Sequence, residues 1–190
     1  MKHHNKTRNS GFTLVELMVT ISILAIMLSI AVPSFSKMIK NNNIYAGTNE
    51  LVSALILTRS EALKRSNDVT LCTSDDQTTC AGSSELDYGK GWVIFLDCNK
   101  DGAIDAAGVD CDNDGVFDES DQIIKVHGPV NGLNVANSKT NNKQFITYTF
   151  AGRVGQAFTL SVTPHNETGT VRQVGVSRTG RIRTCDPTCP

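Results

Sequence analysis

The chain reads as an α+β protein: a long N-terminal helix, with a membrane-spanning half and then a packed half, followed by an antiparallel β-sheet globular domain. Three observations predict this. The apolar stretch at residues 12–32 passes into helically spaced leucines and alanines that continue to about Arg65. From residue 68 the pattern changes to short runs rich in Val, Ile, Thr and aromatics, the composition of strands. Helix comes first and strands follow, an order that argues against alternating βαβ units.

The elements follow in chain order. Residues 1–11, MKHHNKTRNSG, make a short, polar, basic leader. Residues 12–40 are expected to form an apolar transmembrane and assembly helix, and residues 41–190 a globular domain outside the cytoplasm. The 21 residues FTLVELMVTISILAIMLSIAV reach about 32 Å as a helix, the thickness of the hydrocarbon core. Basic residues ahead of the span keep that end in the cytoplasm. The expected topology is therefore a single pass with the domain outside the cytoplasm. A secretory signal has a shorter apolar core with its small-residue cleavage site after it; here the small residue, Gly11, comes before. Glu16 lies inside the span, where a carboxylate needs a partner or an escape to the interface. Pro33 removes a backbone donor and is expected to bend the helix.

Beyond the span, Leu51, Leu55 and Ala62 recur with Val52, Leu57 and Leu63 at helical spacing. Glu61 and Arg65 stand four apart in the favourable orientation. Strands are expected at DVTLCT, GWVIFLD, QIIKVH, FITYTF, AFTLSV and VRQVGV, separated by loops of Asn, Gly, Asp and Ser. The single tryptophan, Trp92, is expected in the core.

The net charge of −1 hides segregation: residues 66–125 carry −11, whereas 1–65 carry +5 and 140–190 carry +4. Such asymmetry speaks to partners rather than to fold. Six cysteines fall as the near-neighbour couples Cys72/Cys80, Cys98/Cys111 and Cys185/Cys189. An even count in polar loops points to disulfides in an oxidising compartment, and the three local pairings are expected among the 15 possible. A zinc site is the alternative, although no CxxC and no paired Cys/His spacing occurs.

Two stretches match the first six positions of an EF-hand type calcium loop, DCNKDG from Asp97 and DCDNDG from Asp110. The second offers Asp110, Asp112, Asp114, Asp118 and, at position 12, Asp121; the first has Gly108 at position 12. Calcium is thus the cation the second loop would take, and plain turn chemistry is the alternative. No cofactor is otherwise required. His127 and His165 stand isolated and no catalytic motif occurs, so the chain is not expected to be an enzyme.

The stretch GFTLVELMVTISILAIMLSIAVPSF resembles the class III signal of type IV pilins and type II secretion pseudopilins. That resemblance implies a prepilin peptidase that cuts after Gly11 and methylates the amine of Phe12. It also implies that Glu16, fifth in the mature chain, meets the terminal amine of a neighbouring subunit, with major and minor pilins as partners, a single-pass stage in the inner membrane with the domain in the periplasm, and a final place in a pilus at the cell surface. ALILTRSEALKR and GWVIFLDCNKDG narrow the resemblance to the FimT/GspH group.

At the C-terminal end, Arg181 and Arg183 flank Ile182, so in an extended chain both point to one side. Gly180 permits a turn, and planar guanidinium groups suit phosphate. GRIR, residues 180–183, resembles the G-R-x-R motif of FimT proteins that bind DNA in natural transformation. The resemblance implies phosphate contacts from Arg181 and Arg183; Arg178 and Arg172 join them on charge alone. The acidic insert 97–121 must then face away from the DNA. The alternative is a structural minor pilin or secretion pseudopilin needed for fibre assembly without DNA binding.

Overall fold

The computed structural model describes residues 11–81, 87–112, 114–117, 119–130, 133–137, 145–164 and 172–186. The leader before Gly11, Asp118, His165 and Cys189 lie outside the described residues, as does the side chain of Pro33. Two compact units divide the chain, Met1–Lys40 and Asn41–Pro190.

Helix α1 runs Leu14–Arg65 without a break at Pro33. Thr13 and Glu16 start it with a capping box. The Thr13 backbone N–H and Oγ1 donate to Glu16 Oε2 at 3.0 and 2.9 Å, and the Glu16 N–H donates to Thr13 Oγ1 at 3.2 Å. Glu16 is thus engaged by the start of its own helix. The first unit exposes its apolar side chains all round, and its most apolar 18-residue window has a mean hydropathy of 2.4 with none of it buried. Its hydroxyls find acceptors inside the helix: Thr20, Ser22 and Ser29 donate to the carbonyls of Leu17, Met18 and Ile26. That leaves no side-chain donor from these residues unpaired in hydrocarbon.

In the second unit the helix buries Ile44, Thr48, Leu51, Ala54, Leu55, Thr58 and Ala62, one face at three- and four-residue spacing. The two threonines remain acceptable there because each hydroxyl donates to the carbonyl four residues back. Leu63, expected with this stripe, is half exposed and lies instead against Gly152. The Glu61–Arg65 pair forms at 2.7 Å. Ser66 adopts the left-handed conformation, φ 54°, that ends a helix.

Two four-stranded antiparallel sheets follow. One has the order β3-β2-β1-β5, from β1 (Val69–Thr73), β2 (Trp92–Leu96), β3 (Gln122–His127) and β5 (Phe145–Tyr148). The other has the order β4-β6-β7-β8, from β4 (Leu133–Asn137), β6 (Phe158–Pro164), β7 (Arg172–Val176) and β8 (Ile182–Cys185). All six expected strands form. Two more, β4 and β8, were not expected, and both lie at sheet edges. An edge strand pairs on one flank only, so it needs few β-formers; β4 carries just Leu133 and Val135 inward among asparagines.

The inner face of the first sheet, with Val69, Leu71, Ile94 and Tyr148, shares one core with the helix stripe and with Leu160, Val162, Val174 and Val176 of the second sheet. Its outer face buries Cys72, Val93 and Phe95 beneath Cys80, Ile104 and Phe145. Trp92 is in the core, as expected, stacked on His127 with ring centroids 3.9 Å apart. The disulfides Cys72–Cys80 and Cys98–Cys111 form as expected. Cys185 is also disulfide-bonded, and its expected partner Cys189 lies outside the described residues.

Candidate nucleic-acid interface

Strands β7 and β8 form a hairpin whose turn holds the arginines. Val176 pairs with Ile182 and Gly175 with Arg183. The Gly180 N–H donates to the Ser177 carbonyl at 2.8 Å, and the Ser177 N–H to the Arg181 carbonyl at 3.0 Å. Gly180 takes φ 75°, the left-handed residue that closes such a turn. A side chain there would strike the Gly152 carbonyl oxygen and come within 3.1 Å of Arg59 Nε and of the Tyr148 ring. The motif glycine is thus required by close packing of two turns, a reason local reading did not contain.

Arg178, Arg181 and Arg183 are exposed, and Ile182 between the last two turns toward the core. The alternation expected from the sequence is therefore realised. Arg183 stands opposite Gly175, so no cross-strand side chain covers it. Among the described residues, no acidic side chain pairs with these three arginines. Arg172 is used elsewhere: its guanidinium sits 4.1 Å from the Tyr45 ring centroid, and its Nε is buried. It is therefore not a free surface cation like the other three, because pairing with an aromatic face on α1 is a long-range event that charge counting does not reveal.

A further arginine reaches the turn, and the backbone next to another pairs with it. Arg59 on α1 donates from Nη2 to the Thr179 carbonyl at 3.2 Å. Arg153 is exposed and its neighbour Val154 donates its N–H to the Arg178 carbonyl at 3.2 Å. Tyr148 lies between these segments, its hydroxyl pushed up to about 12 by burial, against the opposing effect of the Arg59 charge. Sequence reading missed both arginines; each is separated from the motif in the chain, and no local pattern marks either.

The acidic insert leaves the same end of the first sheet on its other face. Val69 pairs with both Leu96 and Tyr148. Tyr148 faces the inner core near Gly180, whereas Asp97 lies over Thr70 on the outer face. Asp97 Oδ2 accepts from Thr70 Oγ1 at 2.7 Å and from the Gly102 N–H at 3.1 Å. In the second loop, Asp110 Oδ2 accepts from the Gly115 N–H at 3.0 Å, and ligand atoms of Asp110, Asp112 and Glu119 lie within 4.8 Å of one another. Asp114 caps its own turn through the Val116 N–H. Asp121, expected to complete that loop, turns to the first one: its two oxygens accept from the N–H groups of Cys98 and Asp105, both at 3.0 Å. Burial pushes the carboxyl groups of Asp97 and Asp121 above the usual range, with repulsion from Asp101 adding to both.

At the other end, Gly11 has open space around it and Phe12 is exposed. Mass spectrometry of membrane-extracted protein from cells with an active prepilin peptidase should find a chain that begins at methylated Phe12. An intact Met1 terminus would refute that reading.

Comparison with known proteins bears on the fold and the family. The family model described as Type II transport protein GspH matches residues 47–180, and that of the prokaryotic N-terminal methylation motif matches residues 6–32. The type IV minor pilin FimU of Pseudomonas aeruginosa is similar in two crystal forms, at 18% identity with TM-scores of 0.53 and 0.51. Each alignment covers 76% of this chain, with 89% and 97% of the FimU chains. The minor pseudopilin EpsH from the type II secretion system of Vibrio cholerae aligns at 16% identity with a TM-score of 0.46, over 76% of this chain and 98% of that one. No curated protein sequence matches at a significant level. With one family model spanning well over half its length and a methylation motif over its unburied apolar helix, this chain belongs to the GspH family of pilins and pseudopilins, structural subunits rather than enzymes.

Proposed function

We propose that this subunit is a minor type IV pilin that binds extracellular double-stranded DNA by its phosphates during natural transformation. The observation that carries the reading is the β7–β8 hairpin, which holds Arg178, Arg181 and Arg183 exposed and free of acidic partners among the described residues. Backbone hydrogen bonds fix the turn, and the Arg59 strut supports it, so little ordering is left for the moment of binding. Guanidinium groups on a rigid ribbon suit a phosphate backbone and need no base-specific partner. The acidic insert starts at Asp97, which lies over Thr70 on the outer face of the first sheet, and on this reading the insert faces away from the DNA.

The test is Arg181→Gln with Arg183→Gln. DNA binding should weaken by about 10-fold or more at low salt, alike for unrelated duplexes, and the log–log salt slope should flatten by nearly two units, about 0.9 per lost phosphate contact. Melting temperature should stay within about 2 °C, because the exchanged groups are exposed. In cells, fibres should assemble while transformation falls. Unchanged affinity in the double variant would remove the hairpin from the site. Absence of binding by the wild-type chain at low salt would leave a subunit that serves fibre assembly alone, in a pilus or a secretion pseudopilus.

A further inference from the structure

Residues 149–153, TFAGR, place a phenylalanine in a tight turn. The Gly152 N–H donates to the Thr149 carbonyl at 2.7 Å, and the Thr149 N–H to the Arg153 carbonyl at 2.9 Å. Gly152 takes the left-handed φ of 68° that turns the chain back. The Phe150 N–H donates to Asp68 Oδ1 at 3.1 Å. Backbone groups therefore hold the turn, and the Phe150 ring, which the turn does not need, is left 60% exposed. One exposed apolar side chain is ordinary on any surface; what sets this one apart is what adjoins it.

The first neighbour is the arginine hairpin. Gly152 packs on Gly180, and the Val154 N–H donates to the Arg178 carbonyl at 3.2 Å. Arg153, next in the chain, is exposed like Arg178, Arg181 and Arg183. The second neighbour is a cleft of about 330 Å³ along β5, walled by Phe145, Val154 and Phe158, with Asp68 and Gln156 as polar groups. β5 is the edge of its sheet, so no strand covers its outer flank. Thr149 and Val154 both line the cleft, and in the chain they flank Phe150 and Arg153. Asp68 would oppose a phosphate, but Lys100 lines the same cleft with its Nζ 3.9 Å from Asp68 Oδ2. An exposed aromatic face and an apolar cleft thus adjoin four exposed guanidinium groups. The charge calls for a polyanion, and the apolar part calls for flat rings. A paired duplex offers its phosphates but keeps its base faces stacked; a strand with unpaired nucleotides offers both.

We infer that Phe150 and the cleft beside β5 form a base-binding subsite, so that with the arginine hairpin they take DNA through its unpaired nucleotides, in single-stranded stretches or at strand ends. This rests on the DNA-binding reading and deepens it: the arginines hold phosphates, and Phe150 stacks a base. Stacking needs no base identity, because every base has a π-face. The Gln156 amide, exposed at the cleft, can donate to or accept from whichever base edge enters.

The experiment titrates the full chain in detergent, at low salt, with a short oligothymidylate and with a blunt duplex of equal length. The oligothymidylate should bind at least as tightly as the duplex, although it carries half the phosphates. Phe150→Ala should weaken oligothymidylate binding by about 10-fold or more, and by more than it weakens duplex binding. The log–log salt slope should not change, since no charge is removed. Phe150→Trp should keep the affinity, and its indole emission should be quenched as the oligothymidylate binds. Phe117→Ala, which removes an exposed ring from the acidic insert, should change neither affinity. No loss in Phe150→Ala, or equal losses for the two DNAs, would overturn this inference and leave the hairpin reading standing, because Arg181→Gln with Arg183→Gln tests that reading on the duplex alone. Defective fibre assembly in Phe150→Ala with DNA binding intact would also overturn it and assign the face to a neighbouring subunit. Failure of the parent chain to bind either DNA would overturn both.

Discussion

Gly180→Ala should lower the stability of the domain by about 2–5 kcal/mol, combining the cost of a left-handed non-glycine residue with overpacking. The glycine adopts φ 75°, and an added methyl group would meet the Gly152 carbonyl oxygen, which belongs to backbone and cannot swing aside. Behind it stand Arg59 Nε and the Tyr148 ring, each 3.1 Å from the new carbon. For a chain of this length the loss corresponds to a fall of about 5–15 °C in melting temperature, readable by circular dichroism. The turn must open to relieve the contact, so Arg178 and Arg181 move with it, and phosphate binding should weaken although no arginine has changed. Arg178→Gln in the same turn should melt within about 2 °C of the parent, because its side chain is exposed. If Gly180→Ala melts like the parent, the two turns do not touch as described.

Leu55→Ala should cost about 2–5 kcal/mol, the range for removing a fully buried leucine whose cavity closes only in part. Leu55 is fully buried, in a cluster that joins the helix to Val69 and Leu71 of the first sheet and Leu160 and Val174 of the second. A domain held by about 5–15 kcal/mol would lose a large part of its margin. Leu55→Met, which keeps volume, should cost less than about 1.5 kcal/mol. The adjacent Ile56 is 54% exposed, and Ile56→Ala should change stability by no more than about 0.5 kcal/mol. Equal effects at the two neighbouring positions would contradict the helix face assigned here. On the proposed reading the same change should also reach the arginine hairpin, since Arg59, four residues on along the helix, holds it through the Thr179 carbonyl.

The apolar span, the helix end near Arg65 and six of eight strands were legible in the sequence because each rests on local chemistry: a run of apolar residues, a change of period, a turn residue. Sulfur pairing between close neighbours was legible for the same reason. The tertiary structure decided matters of another kind. It made strands of 133–137 and 182–185, whose composition is weak because an edge satisfies one flank only. It drew Arg172 onto Tyr45, brought Arg59 and Arg153 to the hairpin, and moved Asp121 from the loop that precedes it to one that begins 24 residues earlier. In each case the deciding partner is distant in the chain, and its energy exists only once the sheets and helix have come together. Which residues can form a helix, a strand or a turn is local physics; which arginines stand free and which carboxylates crowd together is set by packing.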